Sequence, residues 1–526
     1  MASVLNTNMP SLNTQRHLAK AQNNLNNSLQ RLSSGLRINT AKDDAAGLAI
    51  SQRMTAQIRG LNVAQRNAND GVSMAQTAEG ALSEMGDILQ RVRELAVQSA
   101  NATNSAGDRK SLNDEVNQLV AELNRFANTT EFNGMKLLNG DNSVAAFQIG
   151  ANANQTITAT TTDFRTNKYG SYQVGNATAT AAGATAGKGI SISNAVSGNA
   201  SLQVTGAAVS AAGTMTLNGP NASGSVSLTT ADSAADIASK INSQDLTGIK
   251  ATAKTEVMIG FSTGDYVIEI STTNATSTSA NTETAKISFS VPKIGTSAIG
   301  ESAEALTDAV NAFNEQSSKT GITAKLNDAK TGIILENDEG KNINVTLKST
   351  NTIYMGNASN GSAPAVSVAG TTTGKTFTAA GQVTLDASRS YSITKDTSAA
   401  IQAGVLSGGS IAATDKLIGS TLQRVDSLDI TTVKGANDAI HIVDQAIDSV
   451  NAQRAKYGAL QNRFESTISN LATSSENVSA ARSRIQDTDF ASETANLSRS
   501  QVLQQAATSM LAQANQLPNN VLTLLG

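Results

Sequence analysis

Apolar positions recur at helical spacing near both ends of this 526-residue chain and alternate in short runs through its middle. Leu25, Leu29, Leu32 and Leu36 follow one another at spacings of four, three and four, which predicts a helix over 12–34 with a break at Gly35 and Ile38–Thr40. Val443, Val450, Tyr457, Phe464, Leu471, Val478 and Ile485 keep a seven-residue beat, with Ile440, Ile447 and Ile468 expected at the alternate seam positions. That beat predicts a helix over 432–485, about 80 Å long, which needs long neighbours to cover its seam. Thr40–Asp43 has the N-cap pattern expected to open a second helix over 43–100, with its seam at Ala68, Val72, Ala75, Leu82, Met85, Leu89, Val92 and Ala96. Leu112, Val116, Leu119, Leu123 and Phe126 predict a third over 108–128. No proline falls between 11 and 219 or between 365 and 517, so long helices are permitted there. The dipeptides Asn133-Gly134 and Asn139-Gly140 place a short hairpin at Phe132–Leu138.

From about 150 to 430 the chain turns to Ser, Thr, Ala, Gly and Asn, with alternating runs such as Asp265–Ile270 and Ala285–Val291 that predict strands. A weak internal repeat runs through this region. Ser233-Ala234, Ile237, Ile241-Asn242, Thr247-Gly248-Ile249 and Ala251 form one copy. Ser302-Ala303, Leu306, Val310-Asn311, Thr320-Gly321-Ile322 and Ala324 form the other. Each copy predicts a short helix, a Thr-Gly turn and a strand; the rival explanation is low-complexity coincidence. The fold class is multidomain: an α-helical coiled-coil core from paired N- and C-terminal helices, with β-rich/α+β inserted outer domains. The expected divisions are 1–42 (N-terminal core helix), 43–175 (helical layer with hairpin), 176–420 (variable outer domains with the repeat), 421–485 (long C-terminal helix of the layer) and 486–526 (C-terminal core helix).

Composition removes several function classes. Lys and Arg total 39 against 42 Asp and Glu, a net −3, so no basic surface points to nucleic acid or an anionic membrane. There is no Cys, hence no disulfide, thiol catalysis or thiolate metal site. Aromatics are 3% of residues and Trp is absent, so packing rests on aliphatics. No run approaches the ~20 apolar residues a membrane span needs, and residues 1–40 hold no signal-peptide core. By itself that predicts a cytoplasmic protein, or one exported without a cleaved signal.

Candidate chemistry is sparse. His17 and His441 are too far apart in sequence for a zinc-peptidase pair and are expected to be solvated or packed. Asp43-Asp44 is expected to oppose the dipole of the second helix from its first turn. Gly183–Gly189 has three residues between its first two glycines and Gly after Lys188, which does not make a phosphate-binding loop. Arg91, Arg93 and Glu94 form a solvated helix face that could also serve recognition. No catalytic, cofactor-binding or metal-ligating residue is assigned, and no enzyme activity is expected.

Several blocks carry a family resemblance: Leu32–Asn39, Ala41–Gly47, Leu89–Gln98 and Phe132–Gly134 near the start, and Gly458–Arg463, Leu503–Ala506, Ala512–Gln516 and Val521-Leu522 near the end. Through them the chain resembles bacterial flagellin over roughly its first 150 and last 100 residues. The resemblance implies a secreted structural subunit that self-assembles into the extracellular flagellar filament for swimming. It implies terminal helices in the inner wall and variable domains outside. The polymerisation seams are expected at Leu25, Leu29, Leu32, Leu36, Leu497, Leu503, Met510 and Leu517, left uncovered and mobile in the monomer until assembly. The implied partners are further copies of the chain, a flagellar export chaperone and export apparatus, and the filament cap and hook–filament junction proteins. Host Toll-like receptor 5 is implied as a reader of Gln90, Arg91, Glu94, Leu95, Gln98 and Glu115. The resemblance implies no cofactor. The alternatives are a hook–filament junction protein, or a filament with an added adhesive role.

Overall fold

The structure is a computed structural model describing residues 7–141, 144–174, 202–203, 213–229, 232–244, 248–273, 284–292, 303–327, 330–356, 366–368, 375–379, 381–395 and 417–522. The Gly183–Gly189 segment and the repeat residues Thr247 and Ser302 lie outside the described residues. The helices are α1 (Met9–Ser34), α2 (Ala45–Ala100), α3 (Ala106–Thr129), α4 (Ala234–Asn242), α5 (Ala303–Glu315), α6 (Ser317–Thr320), α7 (Val433–Gln486) and α8 (Phe490–Leu522). The first strands are β1 (Glu131–Phe132), β2 (Met135–Lys136), β3 (Val144–Gln148), β4 (Thr156–Thr160), β5 (Gly170–Val174), β6 (Leu202–Gln203), β7 (Gly213–Asn218) and β8 (Ser223–Leu228). Next come β9 (Ile249–Phe261), β10 (Gly264–Thr273), β11 (Ala285–Val291), β12 (Thr323–Leu326), β13 (Ile333–Asn337), β14 (Asn342–Leu347) and β15 (Ile353–Gly356). The last are β16 (Val366–Val368), β17 (Lys375–Ala379), β18 (Gln382–Ala387), β19 (Ser392–Lys395), β20 (Leu417–Gly419) and β21 (Thr421–Arg424).

The chain divides into two compact units. The first holds Met1–Gly80, Glu131–Thr162 and Ala455–Gly526. In it α1 lies antiparallel to α8: Asn8 donates to the Ala514 carbonyl at 2.9 Å, Gln504 to Gln22 at 2.8 Å, and Arg31 faces Glu493 at 3.9 Å. α1 begins at Met9, three residues before the expected start. Asn8 accepts from the Ser11 amide as its cap, Pro10 sits in the first turn, and Gly35 ends the helix at φ 71°. The two breaks pair with each other, since Arg37 N donates to Gln486 O at 2.7 Å and Thr488 N to Gly35 O at 3.0 Å.

α2 opens later than the Thr40–Asp43 pattern predicts. Asp43 Oδ2 accepts from the amides of Asn39 and Thr40 and from the Thr40 hydroxyl, so this pair closes a turn ahead of the helix. These bonds, the Thr40 amide first, lower the Asp43 pKa. The cap is Asp44, whose Oδ1 accepts from Gly47 N at 2.9 Å; neither acid lies within the first turn. Farther along, the α2 segment up to Gly80 runs antiparallel to α7: Asn62 meets Ser475 at 3.2 Å and Glu79 meets Gln461 at 2.9 Å. Gly71 lies directly under the Phe464 ring, and Phe464 meets Phe147 edge-on at 5.5 Å. The expected hairpin is β1–β2, turned by Asn133 (φ 50°) and Gly134 (φ 78°).

The second unit holds Ala81–Thr130 and Asp163–Arg454. Its helical part buries Leu82, Met85, Leu89, Val92 and Ala96 of α2, Val116 and Leu123 of α3, and Val443 and Val450 of α7. α3 starts at Ala106 behind a reciprocal cap, Ser105 with Asp108, that hydrophobic spacing alone did not locate. The seven-residue beat of α7 is observed, but its alternate seam positions are Ala439, Ala446, Gln453 and Leu460. Ile440, Ile447 and Ile468 are only half-buried. Each lies four residues from one beat residue where the seam takes the position three away, so the isoleucines flank it.

The strands of this unit form three sheets, in the orders β11-β10-β14-β17-β6, β12-β13-β9-β18-β5-β21 (with β15 and then β16 beside β9) and β20-β19-β7-β8. The repeat is present, with one change of register. Asn242 exchanges two hydrogen bonds with the backbone of Ala251, both 2.8 Å. In the second copy Asn314, not Asn311, does the same with Ala324, at 2.9 and 2.7 Å. Spacing aligns Asn311 with Asn242, but α5 carries three more residues before its clamp than α4 does, and one more separates that clamp from its strand; Phe313 takes the buried place of Ile241.

Candidate functional site

Within the first unit, the face α1 and α8 present to each other is lined by small residues. Ser11, Ala21 and Ser28 are buried on α1, and Ser500 and Ala514 on α8. The Ser11 hydroxyl donates to Asn515 Oδ1 at 2.8 Å. Ala21 and Ser28 are seven apart, and Glu493, Ser500 and Ala514 lie on multiples of seven, a signal that a search for large apolar residues passes over. Leu25, Leu32, Leu36 and Leu497 are half-buried beside this face. Leu29, Leu503 and Met510 point away from it, 46%, 52% and 59% exposed. Met9, Leu12, Phe490 and Val502 are exposed as well. Leu517 falls where α8 side chains lie outside the described residues.

This uncovered stripe is the main apolar exposure of the described chain. Among the described residues twelve large apolar side chains are exposed; seven of them are on α1 or α8, and none of the described ones lies between 145 and 432. The terminal helices therefore keep a large apolar area without a cover.

A second surface lies on α2 and α3. Arg91 donates to Glu115 at 2.9 Å and to Glu94 at 3.1 Å, and hydrogen bonding to Glu115 first, then Glu94, raises its pKa. Arg93 donates to Asp444 at 2.6 Å, which raises its pKa likewise. Gln90, Gln98 and Glu115 are exposed with them. Leu95 is apart from the other five: at 1% exposure it lies beneath this surface.

Both histidines are accounted for. His17 is exposed on α1. His441 stands 3.9 Å from Asp386, a buried carboxylate on β18 that accepts from Ser171 at 2.9 Å and Gln173 at 2.5 Å. Burial raises the Asp386 pKa; His441 and the two donors oppose that. Serine and histidine both face the aspartate rather than each other, and Ser171 is fully buried, so no nucleophile is presented. Among the described residues no group of His, Cys, Asp and Glu could hold a metal ion, and no helix is long and apolar enough to cross a membrane.

Comparison with known proteins agrees with this geometry. Residues 5–143 match the bacterial flagellin N-terminal helical region, 440–525 the C-terminal helical region, and 214–274 the flagellin hook IN motif. The B-type flagellin of Pseudomonas aeruginosa is 42% identical over the full length of both chains. The flagellin of Salmonella typhimurium is 36% identical, also over the full length of both. Flagellin A of Vibrio cholerae is 34% identical over 99% of each. Full-length identity with flagellins does not favour the junction-protein alternative. A helical core with a sheet-rich insert, an uncovered terminal stripe and matched sequence at both ends place this chain in the bacterial flagellin family, as a structural subunit of the flagellar filament and not an enzyme.

Proposed function

We propose that the chain polymerises through the outward stripe of α1 and α8, with Leu25, Leu29, Leu32, Leu36, Leu497, Leu503, Met510 and Leu517 as its seams. The observation carrying this is the exposure of Leu29, Leu503 and Met510 on helices whose mutual face is already filled by Ser and Ala. Burying a large apolar side chain contributes about 1.5–3 kcal/mol, so many copies together offset the order lost on assembly. In this proposal 1–42 and 486–526 form the inner wall, 43–175 and 421–485 the next layer, and 176–420 faces outward. The ends order fully only in the filament. The test is electron microscopy of Leu503→Glu and Met510→Glu variants under assembly conditions. They stay folded by circular dichroism and form no filaments; normal filaments would refute the assignment.

The chain is further proposed to leave the cell through the flagellar export apparatus, with an export chaperone, and to meet the cap and hook–filament junction proteins. The exposed α2–α3 surface supports recognition by host Toll-like receptor 5. Gln90, Arg91, Glu94, Gln98 and Glu115 would touch the receptor, and Leu95 would hold the surface from beneath.

A further inference from the structure

Residues 213–337 repeat one arrangement twice. The hairpin β7–β8 leads to α4, a turn at Gly248 (φ 69°) and β9. The hairpin β10–β11 leads to α5 and α6, a turn at Gly321 (φ 67°) and β12. The match to the hook IN motif ends at 274, before the second helix begins. In each copy an asparagine near the helix end locks onto the following strand by two hydrogen bonds, Asn242 on Ala251 and Asn314 on Ala324. Each copy has its own core: Leu217, Ile237 and Ile241 belong to the first, Ile268, Leu306 and Phe313 to the second.

The thirteen residues of β9 serve both cores. Ile249 and Ala251 pack in the first and pair with β18, whereas Val257, Ile259 and Phe261 pack in the second, and β13 pairs along 255–259. Between them the chain leaves no slack. Ala235 N, in the first turn of α4, donates to Gly340 O at 3.1 Å, and the Thr255 hydroxyl donates to Lys341 O at 2.8 Å. A methyl on Gly340, which sits at φ 75°, would come within 2.3 Å of Ala253 Cβ. One on Gly381 would come within 2.8 Å of Ala234 Cβ. A hinge between modules would need room at this waist, and glycines without room do not supply it.

We propose that the two copies are welded at the waist of β9 into one body, so that neither opens unless the other does. The test is native-state hydrogen exchange on the full-length chain in rising urea, followed by mass spectrometry. In the wild type, fragments from α4 and β9 and from α5 and β12 share one opening free energy and one urea slope. Separate slopes would overturn the proposal without any variant. Asn314→Ala removes the clamp of the second copy and accelerates exchange in α4 as much as in α5, by about tenfold or more. Acceleration confined to 303–326 overturns the proposal. Gly340→Ala, crowded against Ala253, accelerates exchange in both copies; an effect on one copy alone overturns it too.

Discussion

Replacing Gly71 by alanine sets two known effects against each other. Alanine within a helix is worth about 1 kcal/mol more than glycine. At Gly71 the new methyl would lie 2.6 Å from Phe464 Cζ and 2.8 Å from Cε2. The ring is fully buried and has Phe147 edge-on against it at 5.5 Å, so it cannot swing aside freely. Overfilling a packed site costs about 1–3 kcal/mol. Steric cost wins, and Gly71→Ala lowers stability by about 1 kcal/mol net, a melting point roughly 2–4 °C lower for a body of 150–250 residues. Gly80, on the same helix, has no atom within 4 Å of such a methyl, so Gly80→Ala carries the helical gain alone and raises the melting point by a similar amount. Thermal melting of the two monomers, followed by helical circular dichroism, gives the comparison. Gly71→Ala melting as high as Gly80→Ala would refute the packing assigned to Phe464.

Three further outcomes are expected. The folded pKa of Asp386 is raised by burial, so its contribution to stability is largest in acid and is lost as pH rises through that value; Asp386→Asn, which cannot ionise, therefore gains on the wild type in melting temperature as pH rises from about 4. A melting difference that stays flat or shrinks with pH would contradict this. Arg91→Ala loses an exposed ion pair worth about 0–1 kcal/mol and leaves helicity intact, yet lowers receptor signalling in a reporter assay by about tenfold or more; full signalling would remove Arg91 from the recognition surface. Ala514→Leu overfills the α1–α8 face by about 1–3 kcal/mol and accelerates hydrogen exchange along α1, whereas unchanged exchange would show that Ala514 is not packed there.

The helical layer was legible in the sequence because periodicity is a direct image of burial. The beat from Val443 to Leu471 names residues that are buried, and Asn133-Gly134 names a turn whose backbone is left-handed at both positions. Four things were not legible, for different reasons. The start of α2 turns on which of two adjacent aspartates caps the helix, and Thr40–Asp43 satisfies the same spacing rule while closing a turn. The clamp Asn314 does not align by spacing, which picks Asn311, because α5 carries three more residues before its clamp than α4 does. The burial of Leu95 follows from its place one turn from Val92 and Ser99 on the covered side of α2, whereas the resemblance names it only as one member of a set. The sheet order of the insert was beyond reach, since β9 pairs with β13, β18 and β15, all far away in sequence.

At the termini the spacing of large apolar residues does not reveal what the two end helices use against each other: the fully buried positions of the face shared by α1 and α8 include Ser11, Ala21, Ser28, Ser500 and Ala514, with Leu25, Leu32 and Leu497 half-buried beside them. Small residues let two helix backbones approach closely while removing little apolar area from water, so this pairing is weak for its length. Leu29, Leu503 and Met510 are thereby left on the outside of an already formed pair. The apolar area left exposed at Leu29, Leu503 and Met510 is the part of these helices that, in the proposal above, is kept for contact with further copies.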